Sequence, residues 1–156
     1  KCSTVRVTSG AREAQAGVAC VPRDRRVILV HDCCITQRDI DIVMGHFTAP
    51  VWWCLCPRSN RYISGLEPPV ELLRRNRLNI CLGTDSLASN DRLSVFEEMR
   101  MFPGIPLPEL LAWAARGGAQ ALGMEDEFGE IAPGRRFGGG LRHAVPTPAS
   151  QIRRIL

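Results

Sequence analysis

The chain has 156 residues, 45% of them hydrophobic and 23% charged, enough apolar material for one ordinary domain with a core and too much for a disordered tail. Net charge is +4 and Lys1 is the only lysine, so nearly all the positive charge is arginine. The arginines are scattered and interleave with no aromatic stripe, which argues against a nucleic-acid partner; no apolar run approaches the roughly 20 residues of a membrane helix.

The first strand expected is Arg26 to His31, a continuous apolar run ending in a histidine. Thr36 reads as a helix N-cap, with Asp39 three residues later near the positive end of the helix. Ile40, Val43 and Met44 share one face of that helix, and Gly45 ends it. Val51 to Cys56 is a second strand, stopped by Pro57, and Ser59 and Asn60 after it favour a turn. Pro68 and Pro69 open a helix through Val70, Leu72 and Leu73, with Asn76 as its stop. Leu78 to Thr84 is a third strand, and a helix over about Asp91 to Met101 turns Leu93 and Phe96 inward. Ser89 or Asn90 is expected to cap it. Pro106 to Leu122 reads as one or two further helices closed by Gly123, and Ile152 to Leu156 as a short terminal strand. Strands alternating with helices imply an α/β fold with parallel strands and right-handed crossovers.

Leu78-Asn79-Ile80-Cys81-Leu82-Gly83-Thr84-Asp85-Ser86 is the most informative stretch. It is an apolar run that ends in a hydroxyl and a carboxylate. The C-terminal ends of parallel strands are where barrel and open-sheet enzymes carry their chemistry. His31, Ser59-Asn60 and Asp85-Ser86 each follow a strand, so parallel strands bring them to one rim. A carboxylate there can bind a metal or accept a proton from water, and a nearby histidine can orient that water. The bland alternative is that His31 ends a strand and Asp85 caps the next segment.

Seven cysteines, an odd number, fall partly in apolar strand-like runs. Cys54-Leu55-Cys56 and Cys33-Cys34 lack the Cys-x-x-Cys spacing of ordinary zinc sites, and buried packing is favoured. A reducing, cytoplasmic setting is expected. His46 and His143 lie in loop-like context and read as surface histidines; Trp52, Trp53 and Trp113 read as core or rim packing. The chain opens on Lys1 rather than Met, and is expected to be a piece of a longer protein.

Three motifs then combine: Leu29-Val30-His31, Cys56-Pro57-Arg58-Ser59-Asn60, and Gly83-Thr84-Asp85-Ser86-Leu87-Ala88-Ser89-Asn90, extended by Phe96-Glu97-Glu98-Met99-Arg100. In this order the set resembles the amidohydrolase superfamily, in its hydrolytic deaminase and chlorohydrolase branch, which includes adenosylhomocysteine, cytosine, guanine and aminofutalosine deaminases. The resemblance implies a (β/α)8 metal-dependent hydrolase barrel of which this chain is the C-terminal part, about strands 6–8 with their helices. It divides the chain into a partial barrel over 1–128 and a segment over 129–156 returning toward a small β-rich domain. It implies that Asp85 binds a divalent metal, zinc or alternatively iron, and moves a proton, that His31 lies beside the reacting carbon, and that Ser59, Asn60 and Ser86 line the substrate pocket. The reaction implied is hydrolytic deamination of an aminated, purine-like heterocycle by activated water. Chloride displacement, cyclic-amide opening, or a non-catalytic remnant or assembly domain remain open. The His-x-His pair and the fifth-strand histidine of that family are absent from this sequence, which holds only three histidines. The isolated chain is therefore expected to bind metal weakly and to lack turnover. A small-molecule substrate is the expected partner, with no nucleic acid and no membrane, and a homo-oligomer through the parent protein is left open.

Overall fold

The computed structural model describes residues 3–5, 17–133, 135–136, 140–142 and 152–154. Four strands form a parallel sheet in the order β1 (Ser3–Val5), β2 (Val27–Val30), β3 (Val51–Leu55), β4 (Asn79–Leu82). Neighbours pair in sequence order: Val27 faces Val51, Trp53 faces Ile80, and Cys54 faces Cys81. The three later strands match the expected ones, β2 and β4 trimmed at both ends and β3 at its C-terminal end alone. His31 drops out of β2 because its φ of 79° is incompatible with an extended strand. β1 was not foreseen: three residues, Ser-Thr-Val, carry too little apolar pattern to stand out.

Alternation along the strands sends side chains to two faces. Val27, Leu29, Val51, Trp53, Leu55, Ile80 and Leu82 join the main core, and Ile28, Trp52 and Cys81 form a smaller cluster with the partly buried Val30 and Cys54. Burial on both faces explains why these strands read as continuous apolar runs rather than as alternating ones. Trp52, Trp53 and Trp113 are all buried, as the sequence suggested.

Between the strands, α1 (Gln37–His46) opens with a reciprocal capping box: the Thr36 hydroxyl accepts from the Asp39 N–H while the Asp39 carboxylate accepts from the Thr36 N–H at 2.8 Å. Ile40 and Val43 are buried, while Met44 is exposed. Gly45 lies inside this helix rather than beyond it, and Phe47 is its C-cap. His46 is half-buried, its Nε2 2.9 Å from the Val21 carbonyl, so it is not a plain surface histidine. The segment after β3 corrects the expected turn. Pro57–Ser64 is a helix, α2, with Ser59 and Asn60 in its first turn. Proline at the first helical position has no N–H to lose and a φ already suited to a helix, so Pro57 starts the element it was expected only to precede.

α3 (Val70–Arg75) begins after Pro69 and ends at Asn76, as expected. The helix after β4, α4, runs only over Val95–Met99, with Ser94 as its N-cap rather than Ser89 or Asn90. Phe96 packs against the core, but Leu93, expected to turn inward, lies outside the helix and is 59% exposed. α5 (Leu107–Leu111) continues through a π-helical stretch, Ala112–Gly117, into α6 (Gly118–Leu122), closed by Gly123 at φ 70°. Near the C-terminus β5 (Gly140–Arg142) pairs antiparallel with β6 (Ile152–Arg154), within the terminal strand expected over Ile152 to Leu156. Cys2 and His143 lie outside the described residues. Among the described residues no helix is long and apolar enough to cross a membrane.

The π-helical stretch lies flush on β4. A Cβ placed on Gly117 would stand 2.4 Å from the Ile80 carbonyl oxygen, whereas one on Gly118 would meet nothing within 4 Å. The two adjacent glycines therefore predict opposite outcomes. Gly117→Ala is expected to destabilise the chain by about 1–3 kcal/mol through backbone overlap. Gly118→Ala is expected to be neutral or stabilising by up to about 1 kcal/mol, since alanine is the better helix former. Urea denaturation of both variants checks this.

Candidate active site

All three strand–loop junctions open at the C-terminal edge of the sheet, and they converge. The Asp85 carboxylate is the centre. Its Oδ2 accepts from the Ser59 hydroxyl at 2.7 Å and from the Ser89 hydroxyl at 2.9 Å, and those hydroxyls are 2.8 Å apart. The Nε2 of His31 stands 3.7 Å from the same oxygen. On the other side of the imidazole, Nδ1 is 2.6 Å from Asn60 Oδ1. With a carbonyl oxygen facing it, Nδ1 carries the proton, which leaves Nε2 turned toward Asp85 with its lone pair or, once protonated, a charge.

Local backbone conformation aims these groups. His31, Asp32 and Asp85 have φ of 79°, 50° and 56°, the left-handed region that side chains other than glycine rarely occupy. Such conformations persist only where surrounding contacts enforce them, and they concentrate at functional sites. Here the His31 N–H is held by the Cys54 carbonyl at 3.1 Å, and Ser59 is fully buried in the first turn of α2. The hydroxyls of Ser59 and Ser89, the positive charge available at His31 and the Ser86 N–H all hold the Asp85 carboxyl below the usual carboxylate range, with Ser59 the largest influence. Asp85 is thus an ionised acceptor whose side chain is a quarter exposed.

The five candidate site residues from sequence, His31, Ser59, Asn60, Asp85 and Ser86, sit at this edge, but not in the same manner. His31, Ser59, Asn60 and Asp85 are joined by the contacts above. Ser86 is exposed, and its backbone rather than its hydroxyl makes the contacts seen, through its N–H to the Asp85 carboxyl and its carbonyl to Ser89. Ser89 and Asn90, expected as caps, are instead buried parts of the network.

Two acidic residues were missed. Glu98, in α4, has no solvent exposure. Its Oε2 accepts from the Arg58 N–H at 3.0 Å, and its Oε1 from the Asn90 amide at 2.7 Å. Asn90 also donates to the Thr84 carbonyl at 2.9 Å, and its own Oδ1 accepts from the Arg58 guanidinium at 3.1 Å. Arg58 in turn pairs with Asp91. Burial pushes Glu98 up, and the Arg58 and Asn90 donors pull it back. In the sequence Glu98 stands within Phe96-Glu97-Glu98-Met99-Arg100, the stretch that extends the family resemblance, but nothing there gives it a role of its own. Asp32 is the other. Burial, and then the negative charge on Cys54, raise its pKa from 3.8 to about 7, and its Oδ2 has no hydrogen-bond partner.

A third group lies just beneath. Among the described residues every cysteine is free of a disulfide. Cys56 and Cys81 are buried and Cys54 is half-buried. Hydrogen bonds from the Cys56 and Cys81 thiols hold Cys54 well below the usual thiol range and push both donors up.

The chain belongs to the amidohydrolase family, whose model its residues 4–137 match. Among curated relatives, it is 34% identical over 126 residues to a 5-methylthioadenosine/S-adenosylhomocysteine deaminase of Halalkalibacterium halodurans, covering 73% of this chain and 28% of that protein. It is 36% identical over 121 residues to the enzyme of the same name from Syntrophobacter fumaroxidans, covering 69% and 27%. Among solved structures, an aminofutalosine deaminase of Helicobacter pylori in complex with methylthio-coformycin superposes with a TM-score of 0.66 at 29% identity, over 82% of this chain and 31% of that one. An adenosine deaminase from Xanthomonas campestris with bound zinc superposes with a TM-score of 0.65 at 29% identity, over 80% and 29%. The chain thus spans under a third of the length of these relatives.

The residues described do not make a whole metal centre. Catalytic zinc draws three protein ligands. His31 and Asp85 offer two donors at the site's mouth, and no group of three or more His, Cys, Asp or Glu side chains that could hold a metal ion occurs among the described residues.

Two expected outcomes follow from the buried acids. Glu98→Ala strands the Arg58 N–H and the Asn90 amide, and should cost about 1–3 kcal/mol in urea denaturation. Asp32 makes stability pH-dependent. Between about pH 4 and 7 the folded chain keeps a proton there that the unfolded chain has released, so stability falls as pH rises across that window. The slope contributed by one such proton is at most about 1.4 kcal/mol per pH unit. Asp32→Asn, which tolerates the left-handed backbone, should flatten that slope in urea titrations at pH 4.5 and 7.

Proposed function

We propose that this chain is the C-terminal part of a (β/α)8 metal-dependent hydrolase that deaminates a purine-like heterocycle, with water as nucleophile and ammonia as leaving group. The partial barrel takes residues 1–128, and residues 129–156 return toward a small β-rich domain. β2, β3 and β4 serve as its sixth, seventh and eighth strands, and β1 sits at the fifth position.

The observation that carries the reading is the joint between Asp85, Ser59, Ser89 and His31 at the C-terminal edge of the sheet. Deaminase names among the relatives support the reaction class. Asp85 accepts a proton from the attacking water and returns it to the departing amine. Two serine hydroxyls keep its carboxylate ionised and fixed for that purpose. His31, oriented through Nδ1 by Asn60, presents Nε2 to the attacking water and steadies charge developing on the reacting carbon's new oxygen. Ser59 and Asn60 fix the floor of the pocket, and Ser86 lines its exposed rim. Asp85 would also be one ligand of a divalent metal, zinc or iron, which would supply Lewis acidity to the attacking water.

The test uses the parent polypeptide beside this chain. Ammonia release from adenosine-type nucleosides should appear with the parent and be absent from the chain alone. In the parent, Asp85→Asn should lower turnover by about a hundredfold to ten-thousandfold, with circular dichroism unchanged. Near-normal turnover of Asp85→Asn would remove it from this role. Robust ammonia release by the chain alone would overturn the fragment reading.

A further inference from the structure

The three thiols beneath the site have no part in the chemistry above, yet their placement is specific. Cys54 and Cys81 are direct partners in the parallel register of β3 and β4, on the same sheet face beside Ile28 and Trp52. Adjacent strands run about 4.8 Å apart, within the Cα separations a disulfide can bridge. Gly83 leaves room for the sulfurs: a Cβ there would lie 2.8 Å from Cys54 Sγ and 3.2 Å from Cys56 Sγ. Cys54 is only partly buried while Cys56 and Cys81 are buried, so an oxidant reaches Cys54 first, and Cys81 is its buried neighbour across the ladder.

We propose that Cys54 and Cys81 form a dithiol that a hydroperoxide closes to a cross-strand disulfide. In the first step the Cys54 sulfur attacks the O–O bond of hydrogen peroxide, gains a hydroxyl as sulfenic acid, and water leaves. In the second the Cys81 sulfur attacks the Cys54 sulfur, the S–S bond forms, the S–O bond breaks, and a second water departs. The two thiols lose two electrons and the peroxide gains them. The bond would lock β3 to β4 directly below the site, because the Cys54 carbonyl holds the His31 N–H and Asp85 follows Cys81 by four residues.

The experiment is peroxide treatment of the whole chain followed by mass spectrometry. Expected is a loss of two hydrogens, reversed by dithiothreitol, with a tryptic link between peptides 39–58 and 78–92. The link should survive Cys56→Ser and vanish in Cys54→Ser. Cys81→Ser should instead leave a sulfenic acid on Cys54, captured by dimedone. If these variants fold poorly, the wild-type chain decides the matter, since link formation should slow at least tenfold in denaturing urea. A loop between Cys54 and Cys56, a link through Cys20, Cys33 or Cys34, stepwise oxygen addition without a link, or equal rates in urea would each overturn the proposal.

Discussion

Glu98 is a carboxylate with no exposed surface, and burying one without partners costs several kcal/mol. Its two oxygens are spent on two different pieces of chain. One holds the Arg58 N–H at the start of α2, which carries Ser59 and Asn60; the other holds Asn90, which grips the Thr84 carbonyl beside Asp85. The loop after β4 and the helix after β3 are thereby fixed to each other, and the distances from Ser59 and Ser89 to Asp85 depend on that attachment. Arg58 completes the arrangement by placing a guanidinium beside the acid and Asn90. Breaking any member leaves a donor or acceptor stranded where water does not reach.

The parallel sheet supplies the other half of the geometry. Each strand delivers its following residues to the same edge, so side chains separated by 29 and 26 positions meet, as His31 meets Asn60 and Ser59 meets Asp85. Close packing behind the sheet keeps the edge in place, with Gly117 allowing the π-helical stretch to lie against β4.

Much of this was legible in the residues. β2, β3 and β4 stood out because both faces are buried and the runs are apolar throughout, and the Thr36–Asp39 cap is a local signal that needs no tertiary context. His31 and Asp85 could be picked because each ends such a run. Other features depend on partners distant in the chain. β1 is ordered by pairing with Val27 to Leu29, not by its own three residues. Pro57 read as a stop, yet its fixed φ suits the first turn of a helix equally well, and only the packing of α2 decides between them. Leu93 has helical spacing but precedes the cap, so the core never reaches it. Asp32 and Glu98 look like ordinary surface acids until the fold closes over them.

The backbone at His31, Asp32 and Asp85 bears on how this edge can vary. A left-handed conformation is least costly for glycine and, among residues with side chains, for asparagine, aspartate and histidine. Replacing any of the three by a β-branched residue changes two things at once, the functional group and the direction in which the chain leaves its strand. Drift at these positions is therefore channelled toward a very small alphabet, independent of any chemistry. A sequence that kept the sheet but lost its reaction would still be expected to retain short polar residues there, as a fossil of the turn rather than of the activity.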